Sequence, residues 1–304
     1  MQRDCQLLPC TTVVTGLFLS AEKRGFEDTL HHRVCIGHDG DTTEVVAASV
    51  ERFESAIQGP VVPHEIHLFR PHREHPGAQI LISAATSPFN DGLLHLPETV
   101  CPREGVVLGV KSLVAGIRTH PLRHFVEDVF QRRDVFAHFW RMPASSRQHH
   151  AWPGGLAAHT LEAAADIAGH TGLTSLEHDL GVAGALLHDI GKVWAYTSDM
   201  FPNAAGLAMG HELLGLARLE GELSRLESPW PDGAYVMRCL LSGHSRQREN
   251  GSLPPALMQR IRACDQRSCE RERRNSGRSG SSRSWTPAAW RERERMQPDT
   301  IGPE

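Results

Sequence analysis

The chain has 304 residues, of which 40% are hydrophobic and 22% charged, and its formal net charge is -4. This apolar content is enough to bury a core, so the composition excludes a wholly disordered chain and a collagen-like fibre. The mildly acidic balance excludes a uniformly basic surface that binds nucleic acid everywhere. At about 150 residues per domain, the length predicts two domains and a tail.

Seven cysteines are scattered along the chain without a C-x-x-C pair. This pattern predicts free thiols in a reducing compartment and no disulfide framework. No run approaches the roughly 18 apolar residues of a membrane span. Residues 7–21 are moderately apolar, but threonines and a proline make them a poor secretory signal. We therefore predict a cytoplasmic protein with no membrane partner.

The first hundred residues contain short β-rich runs separated by turn signals. The predicted strands are residues 12–19, 30–37, 43–50, 65–69 and 79–83. His38-Asp39-Gly40-Asp41 has the composition of a hairpin turn, and the apolar spacing within residues 49–58 predicts a short helix. Three strands, a helix and two strands are the order of an OB-like barrel. We predict such a domain over residues 1–104, with a Pro- and Gly-rich linker from residue 87.

The periodicity becomes helical after the linker. The predicted helices are residues 106–117, 124–140, 156–169, 180–194, 210–226, 234–242 and 255–269. They predict an all-α domain over residues 105–270, and thus an α+β protein of two domains. Residues 271–304 are rich in Arg, Ser, Gly and Pro, which predicts a disordered tail.

Histidines and aspartates recur at or near the ends of these predicted helices. They are His159, His188, Asp189, His211, His244 and Asp265. Imidazoles and carboxylates that converge from several helices are a common way to build a divalent metal site. The His188-Asp189 pair ends an apolar run, where burying it is costly unless it is paired or bound to metal. Gly191-Lys192 follows and places an ammonium where a phosphate could meet it.

The order His, His-Asp, Asp resembles the HD superfamily of metal-dependent phosphohydrolases. The run from His149 to Leu156, with Pro143-Ala144 before it and His159-Thr160-Leu161 after it, is similar to the HD domain of the bacterial (YhaM-like) 3'-5' exoribonucleases. In that family an OB-like domain precedes the HD domain. The resemblance covers about residues 139–265. Related HD modules also occur in relaxase- or helicase-like proteins of conjugative elements.

The resemblance implies a ligand set. One metal ion would bind His159, His188, Asp189 and Asp265, and a second would share Asp189 and use His211 and His244. Asp189 and Lys192 would be catalytic, because a clamped phosphodiester needs an activated water and a neutralised phosphate oxygen. His149 and His150 would orient the ligands or contact substrate. Such donors suit one or two ions of Mn, Fe, Co, Ni, Zn or Mg.

The function implied is 3'-5' exonuclease action on single-stranded RNA, with DNA as the second choice. One alternative is an HD phosphohydrolase of small nucleotides. Another is a non-catalytic module of a conjugative element that binds nucleic acid. The chain has no P-loop and no G-x-S-x-G motif, so neither an ATP-driven motor nor an acyl-transfer hydrolase is supported. Whether the protein forms a homo-oligomer stays open.

Overall fold

A computed structural model describes residues 10–26, 29–70, 79–88, 92–146, 149–243 and 253–277. It shows an α+β chain with a five-strand sheet at the N-terminal side and helices after it. The strands are β1 (Cys10–Phe26), β2 (Thr29–His38), β3 (Asp41–Ala47), β4 (His64–Arg70) and β5 (Ile80–Thr86). Their hydrogen-bonded order is β1-β2-β3-β5-β4, and β4 pairs again with β1.

The length of β1 explains how one strand pairs on both sides. Its first seven residues pair with β4 and its later residues pair with β2, and the register shifts between Phe18 and Ser20. Such a bulge bends a strand and increases its twist, which lets the two halves belong to different parts of a curved sheet. The contact between β3 and β5 is short, with Val46 opposite Ile80. The enclosed side is apolar and fully buried at Val34 and Ile66.

The predicted hairpin turn is confirmed between β2 and β3. Asp39 and Gly40 have φ values of 49° and 83°. Positive φ at both central residues defines the hairpin turn whose twist matches the flanking strands, and Asp-Gly suits it well. The predicted short helix is α1 (Glu54–Gln58), which lies between β3 and β4.

The Pro- and Gly-rich segment after β5 is packed where the structure describes it. Residues Gly92–His95 and Glu98–Val100 form two 3-10 turns. Leu93, Leu96 and Val100 are buried in the same core as the helices. Leu17 of β1 also belongs to that core, so the sheet and the helices share apolar contacts. The boundaries of the two predicted domains stay a prediction.

Ten more helices follow in the described residues. They are α2 (Val106–Gly116), α3 (His120–Gln131), α4 (Arg133–Phe139), α5 (Gly155–Ala168), α6 (Ser175–Leu187), α7 (Lys192–Ala195), α8 (Ala204–Arg218), α9 (Glu220–Glu227), α10 (Pro231–Leu241) and α11 (Leu253–Gly277). Three of the predicted helices are therefore each divided into two. Within the described residues, no helix has both the length and the apolar character that crossing a bilayer requires.

The start of the predicted tail is wrong by several residues, because α11 continues through position 271. Arg271 donates to both carboxylate oxygens of Asp166 on α5, at 2.9 and 2.8 Å. A helix that can pair its arginines along a neighbouring helix gains order that composition alone does not predict. Residues 278–304 of the predicted tail lie outside the described residues.

Helices α5 and α6 form the centre of the helical region. Helix α6 begins at a capping box, in which Thr174 and Glu177 each bond to the main chain of the other. One turn later the buried Asp179 accepts bonds from the main-chain N–H groups of Arg118 and Thr119. This carboxylate satisfies donors just before α3 and ties that helix to α6.

Arg133, the first residue of α4, joins the helices to the sheet. Its guanidinium donates to the carbonyl oxygens of Phe18, Leu19, Ala56 and Gly59 at 2.9 to 3.2 Å. Burial lowers the pKa of Arg133 to about 10, so the group stays charged at neutral pH. A fixed cation thus satisfies main-chain acceptors where β1 and the chain around α1 meet α4.

We expect Arg133→Met to lower the free energy of unfolding by about 2–4 kcal/mol, because several partly buried carbonyls lose their donor. Chemical denaturation followed by circular dichroism measures the loss. Arg52→Met, at an exposed position, is the matched control and should change stability by less than about 0.5 kcal/mol. Equal stability of the two variants would show that the Arg133 contacts contribute little.

Candidate metal centre

Four helices and one helix-to-helix corner bring the predicted site residues together. His159 lies on α5 and is fully buried, and His188 and Asp189 follow the end of α6. Lys192 begins α7, and Asp265 lies on α11. His211 lies on α8, directly after a break in helical geometry at Gly210. The sequence separation between His159 and Asp265 is thus closed by the packing of α5, α6 and α11.

Asp189 lies at the centre of this cluster, with 8% of its side chain exposed. The Lys192 ammonium donates to its Oδ2 at 2.6 Å, and His211 Nε2 lies 3.1 Å from its Oδ1. Burial alone would raise the pKa of this carboxyl, but the Lys192 ammonium, His188 and His211 together hold the pKa well below its ordinary value. Asp189 is therefore ionised at neutral pH.

The neighbours of His159 and His188 determine which nitrogen carries the proton. His188 Nδ1 lies 2.8 Å from the carbonyl oxygen of Ala185, which can only accept. His159 Nδ1 lies 3.2 Å from Ser268 Oγ, whose own proton is donated to Glu162 Oε2 at 2.7 Å. Burial lowers the pKa of His159, so that ring is neutral. In its neutral form each imidazole therefore carries its proton on Nδ1 and a lone pair on Nε2.

These two lone pairs face carboxylate oxygens. His159 Nε2 lies 3.1 Å from Asp265 Oδ1 and 3.6 Å from Asp189 Oδ2, and His188 Nε2 lies 3.5 Å from the same Asp189 oxygen. Both Nε2 atoms are buried and have no hydrogen-bond partner. Buried nitrogens without a hydrogen bond beside buried carboxylates are costly, and a bound cation would remove that cost. One donor atom each of His159, His188 and Asp189 lies within 4.8 Å of the others, so the donors fit a divalent metal ion.

His211 contacts the opposite oxygen of Asp189. Its Nε2 is the hydrogen-bond donor to that oxygen, and its Nδ1 lies 3.3 Å from the carboxylate of Glu212. The short distance depends on Gly191, because a Cβ there would lie 1.8 Å from the carbonyl oxygen of His211 and 3.0 Å from the Cα of Gly215. Only glycine permits the chain after Asp189 to approach α8 this closely.

Lys192 is held on two sides. Besides its bond to Asp189, the ammonium donates to the carbonyl oxygen of Ala144 at 2.9 Å. Burial would lower its pKa, but the adjacent Asp189 carboxylate raises it above the ordinary value. An ammonium has three N–H donors, and these two contacts use two of them.

His149 and His150 lie beside His159, with ring centroids 5.4 and 5.3 Å from it. Burial, together with the neighbouring His159 and Lys192, lowers the pKa of His149 to about 4, so its ring is neutral. His150 is buried and its Nε2 lies 3.2 Å from Glu162. His244, the remaining predicted ligand, lies outside the described residues.

Three residues at the centre were not anticipated from the sequence: Glu162, Ser268 and Cys269. Glu162 lies three residues after His159 on α5, and Ser268 and Cys269 lie three and four residues after Asp265 on α11. Residues at these spacings share one face of a helix. The spacing therefore indicates that these three side chains lie on the same helix faces as His159 and Asp265. The Cys269 thiol donates to Asp265 Oδ1 at 3.6 Å, and burial beside that carboxylate raises the pKa of the thiol to about 12.

A comparison with known proteins points to one class, the 3'-5' exoribonucleases. The chain is 27% identical over 129 residues to the 3'-5' exoribonuclease YhaM of Bacillus subtilis (strain 168). It has the same identity over the same length to the 3'-5' exoribonuclease YhaM of Bacillus velezensis. Each match covers 40% of this chain and 40% of the relative. No family model matches the chain, and no solved structure matches it. The chain thus aligns with less than half the length of either relative.

We expect Lys192→Met to lower the free energy of unfolding at neutral pH by about 3–5 kcal/mol, because the buried Asp189 carboxylate loses its ammonium. Urea denaturation in the presence of a chelator measures this. The Asp189 pKa is depressed in the folded state, so the stability from the pair is present above the unfolded pKa of about 4 and is lost as the pH falls. The difference in the free energy of unfolding between the variant and the wild type should therefore become smaller below that pH.

The matched control is the double variant Lys192→Met/Asp189→Asn, which should be less destabilised than the sum of the single variants. Strict additivity would show that the two side chains do not stabilise each other.

Proposed function

We propose that this protein is a metal-dependent phosphodiester hydrolase of the HD type. The observation that carries the proposal is the pair of buried Nε2 atoms on His159 and His188 that lie beside the Asp189 and Asp265 carboxylates without hydrogen-bond partners. Two neutral imidazoles and two carboxylates are a donor set for a divalent ion of the first transition series or Mg²⁺. Such an ion supplies Lewis acidity and a water of lowered pKa for attack on phosphorus.

His159, His188, Asp189 and Asp265 would hold the ion, and His211 would support a second one through Asp189. Ser268 and Glu162 keep His159 in the tautomer that a ligand needs. Lys192 has one N–H left after its contacts with Asp189 and Ala144, and we assign it to a non-bridging phosphate oxygen. Asp265, with 35% of its side chain exposed, is on the side from which a substrate reaches the centre.

The proposed substrate is the 3' end of single-stranded RNA. The similarity to 3'-5' exoribonucleases supports this choice over a mononucleotide. The N-terminal sheet supports it as well, because three strands, a helix and two strands, paired in an order that returns to β1, are arranged as in an OB-like barrel. Such a module guides a single strand by charge and stacking.

The test is Mn²⁺-dependent degradation of single-stranded oligoribonucleotides, alongside DNA and a nucleotide panel. We expect a ladder of products that a 3' block abolishes and a 5' block does not. Asp189→Asn and Asp265→Asn should each reduce the rate more than about 100-fold, because each removes a donor to the ion. Exposed Asp232→Asn is the control.

Hydrolysis of mononucleotides but not of oligonucleotides would show that the protein is a nucleotide phosphohydrolase and not an exonuclease. Binding of RNA without turnover in any divalent metal would overturn hydrolysis altogether. Circular dichroism of both Asn variants shows whether a variant has lost activity because it is unfolded. Asp265 is the more exposed of the two residues, so its substitution should disturb the fold less.

Ser268→Ala tests the hydrogen-bond relay that orients His159. Its loss should weaken Mn²⁺ binding by about 10- to 100-fold, the usual effect of removing a group that orients a ligand. Calorimetric titration of the chelated and dialysed protein measures the affinity. Exposed Ser224→Ala should bind as the wild type does, and equal affinity of both variants would show that the relay is dispensable.

A further inference from the structure

A second set of donors shares His159 with the proposed hydrolytic site and otherwise uses side chains that the site does not. One donor atom each of His149, His159 and Cys269 lies within 4.8 Å of the others. His149 Nδ1 and His159 Nε2 are both buried without a hydrogen-bond partner. The His159 side chain is 1% exposed, so its unsatisfied nitrogen is held in place by packing.

The chemistry of this set differs from that of the first. Two imidazoles and a thiol form an N,N,S set, whereas His159, His188, Asp189 and Asp265 form an N,N,O,O set. Thiolate selects thiophilic ions such as Zn²⁺, and carboxylate suits Mn²⁺ and Mg²⁺. In a tetrahedral zinc site the donors lie about 3.3–3.8 Å apart. Modest side-chain shifts would therefore bring the donor atoms of His149, His159 and Cys269 to these distances.

We propose that His149, His159 and Cys269 bind a thiophilic divalent ion, and that this ion excludes the metal of the neighbouring N,N,O,O set. The exclusion follows from one shared atom, because His159 Nε2 has a single lone pair and can bind only one ion. On binding, the ion replaces the thiol proton of Cys269, which passes to solvent, and the thiol's hydrogen bond to Asp265 is lost. Zinc thereby competes with manganese inside one pocket.

The first test is a Co²⁺ titration of the whole protein followed by absorption, because cobalt bound to thiolate gives a charge-transfer band in the near ultraviolet. We expect the band in the wild type, its loss in Cys269→Ser and His159→Ala, and its persistence in His188→Ala. The matched control is Cys239→Ser, since Cys239 is also a half-buried cysteine of a helix, and its band should equal that of the wild type.

A missing band in the wild type at saturating cobalt would overturn the proposal, as would a band that survives in Cys269→Ser. Circular dichroism checks that both cysteine variants are folded, and Cys269→Ala serves as a second variant with no hydroxyl to replace the thiolate. The readout is binding, so a protein that hydrolyses nothing can still show the band.

The second test is competition. Mn²⁺ affinity, measured by calorimetry, should fall at least about 10-fold in the wild type when one equivalent of Zn²⁺ is present, and should be less affected in Cys269→Ser. Equal sensitivity of both proteins to zinc would overturn the competition, because it would show that zinc enters through the carboxylate set.

Discussion

The burial of the Asp189 carboxylate is the constraint on which the helical region depends. An ionised carboxyl removed from water is strongly destabilising unless charges and donors surround it. Here the compensating groups come from separate elements: Lys192 from α7, His211 from α8 and His188 from the end of α6. The helices can satisfy the carboxylate only by meeting at one point, so charge compensation and packing are the same requirement.

The carboxylates around that point outnumber the ammonium groups. Two carboxylates, Asp189 and Asp265, face one ammonium, and the rings of His149 and His159 are neutral because burial lowers their pKa values. The two carboxylates therefore outnumber the one ammonium, and buried imidazole nitrogens lie beside them. Among proteins, a pocket that combines surplus negative charge with unsatisfied nitrogen donors is a receptor for cations.

Much of this arrangement could be predicted from the sequence. Helical spacing located the helices, and an ionisable His188-Asp189 pair after an apolar run indicated the centre. The sequence did not predict the interruptions at Arg132 and Leu219, because each lies within a continuous periodic run and depends on tertiary contacts. Arg132, for example, is held by Asp134 and Glu222. Ser268 and Cys269 were missed because their role arises only when α11 packs on α5.

The close approach of Gly191 to α8 has a consequence for how the centre keeps its dimensions. Main chain meets main chain there, so the spacing between the Asp189 corner and His211 does not depend on any rotamer. A change of rotamer at any of the central side chains would leave this main-chain spacing unaltered. The main-chain spacing at the centre is thus set by Gly191 and Gly215, which have no functional side chain. A methyl group at Gly191 would meet the main-chain carbonyl oxygen of His211, and one at Gly215 would meet the Cα of Gly191, so either would push the Asp189 corner away from α8 without contacting an imidazole or carboxylate group.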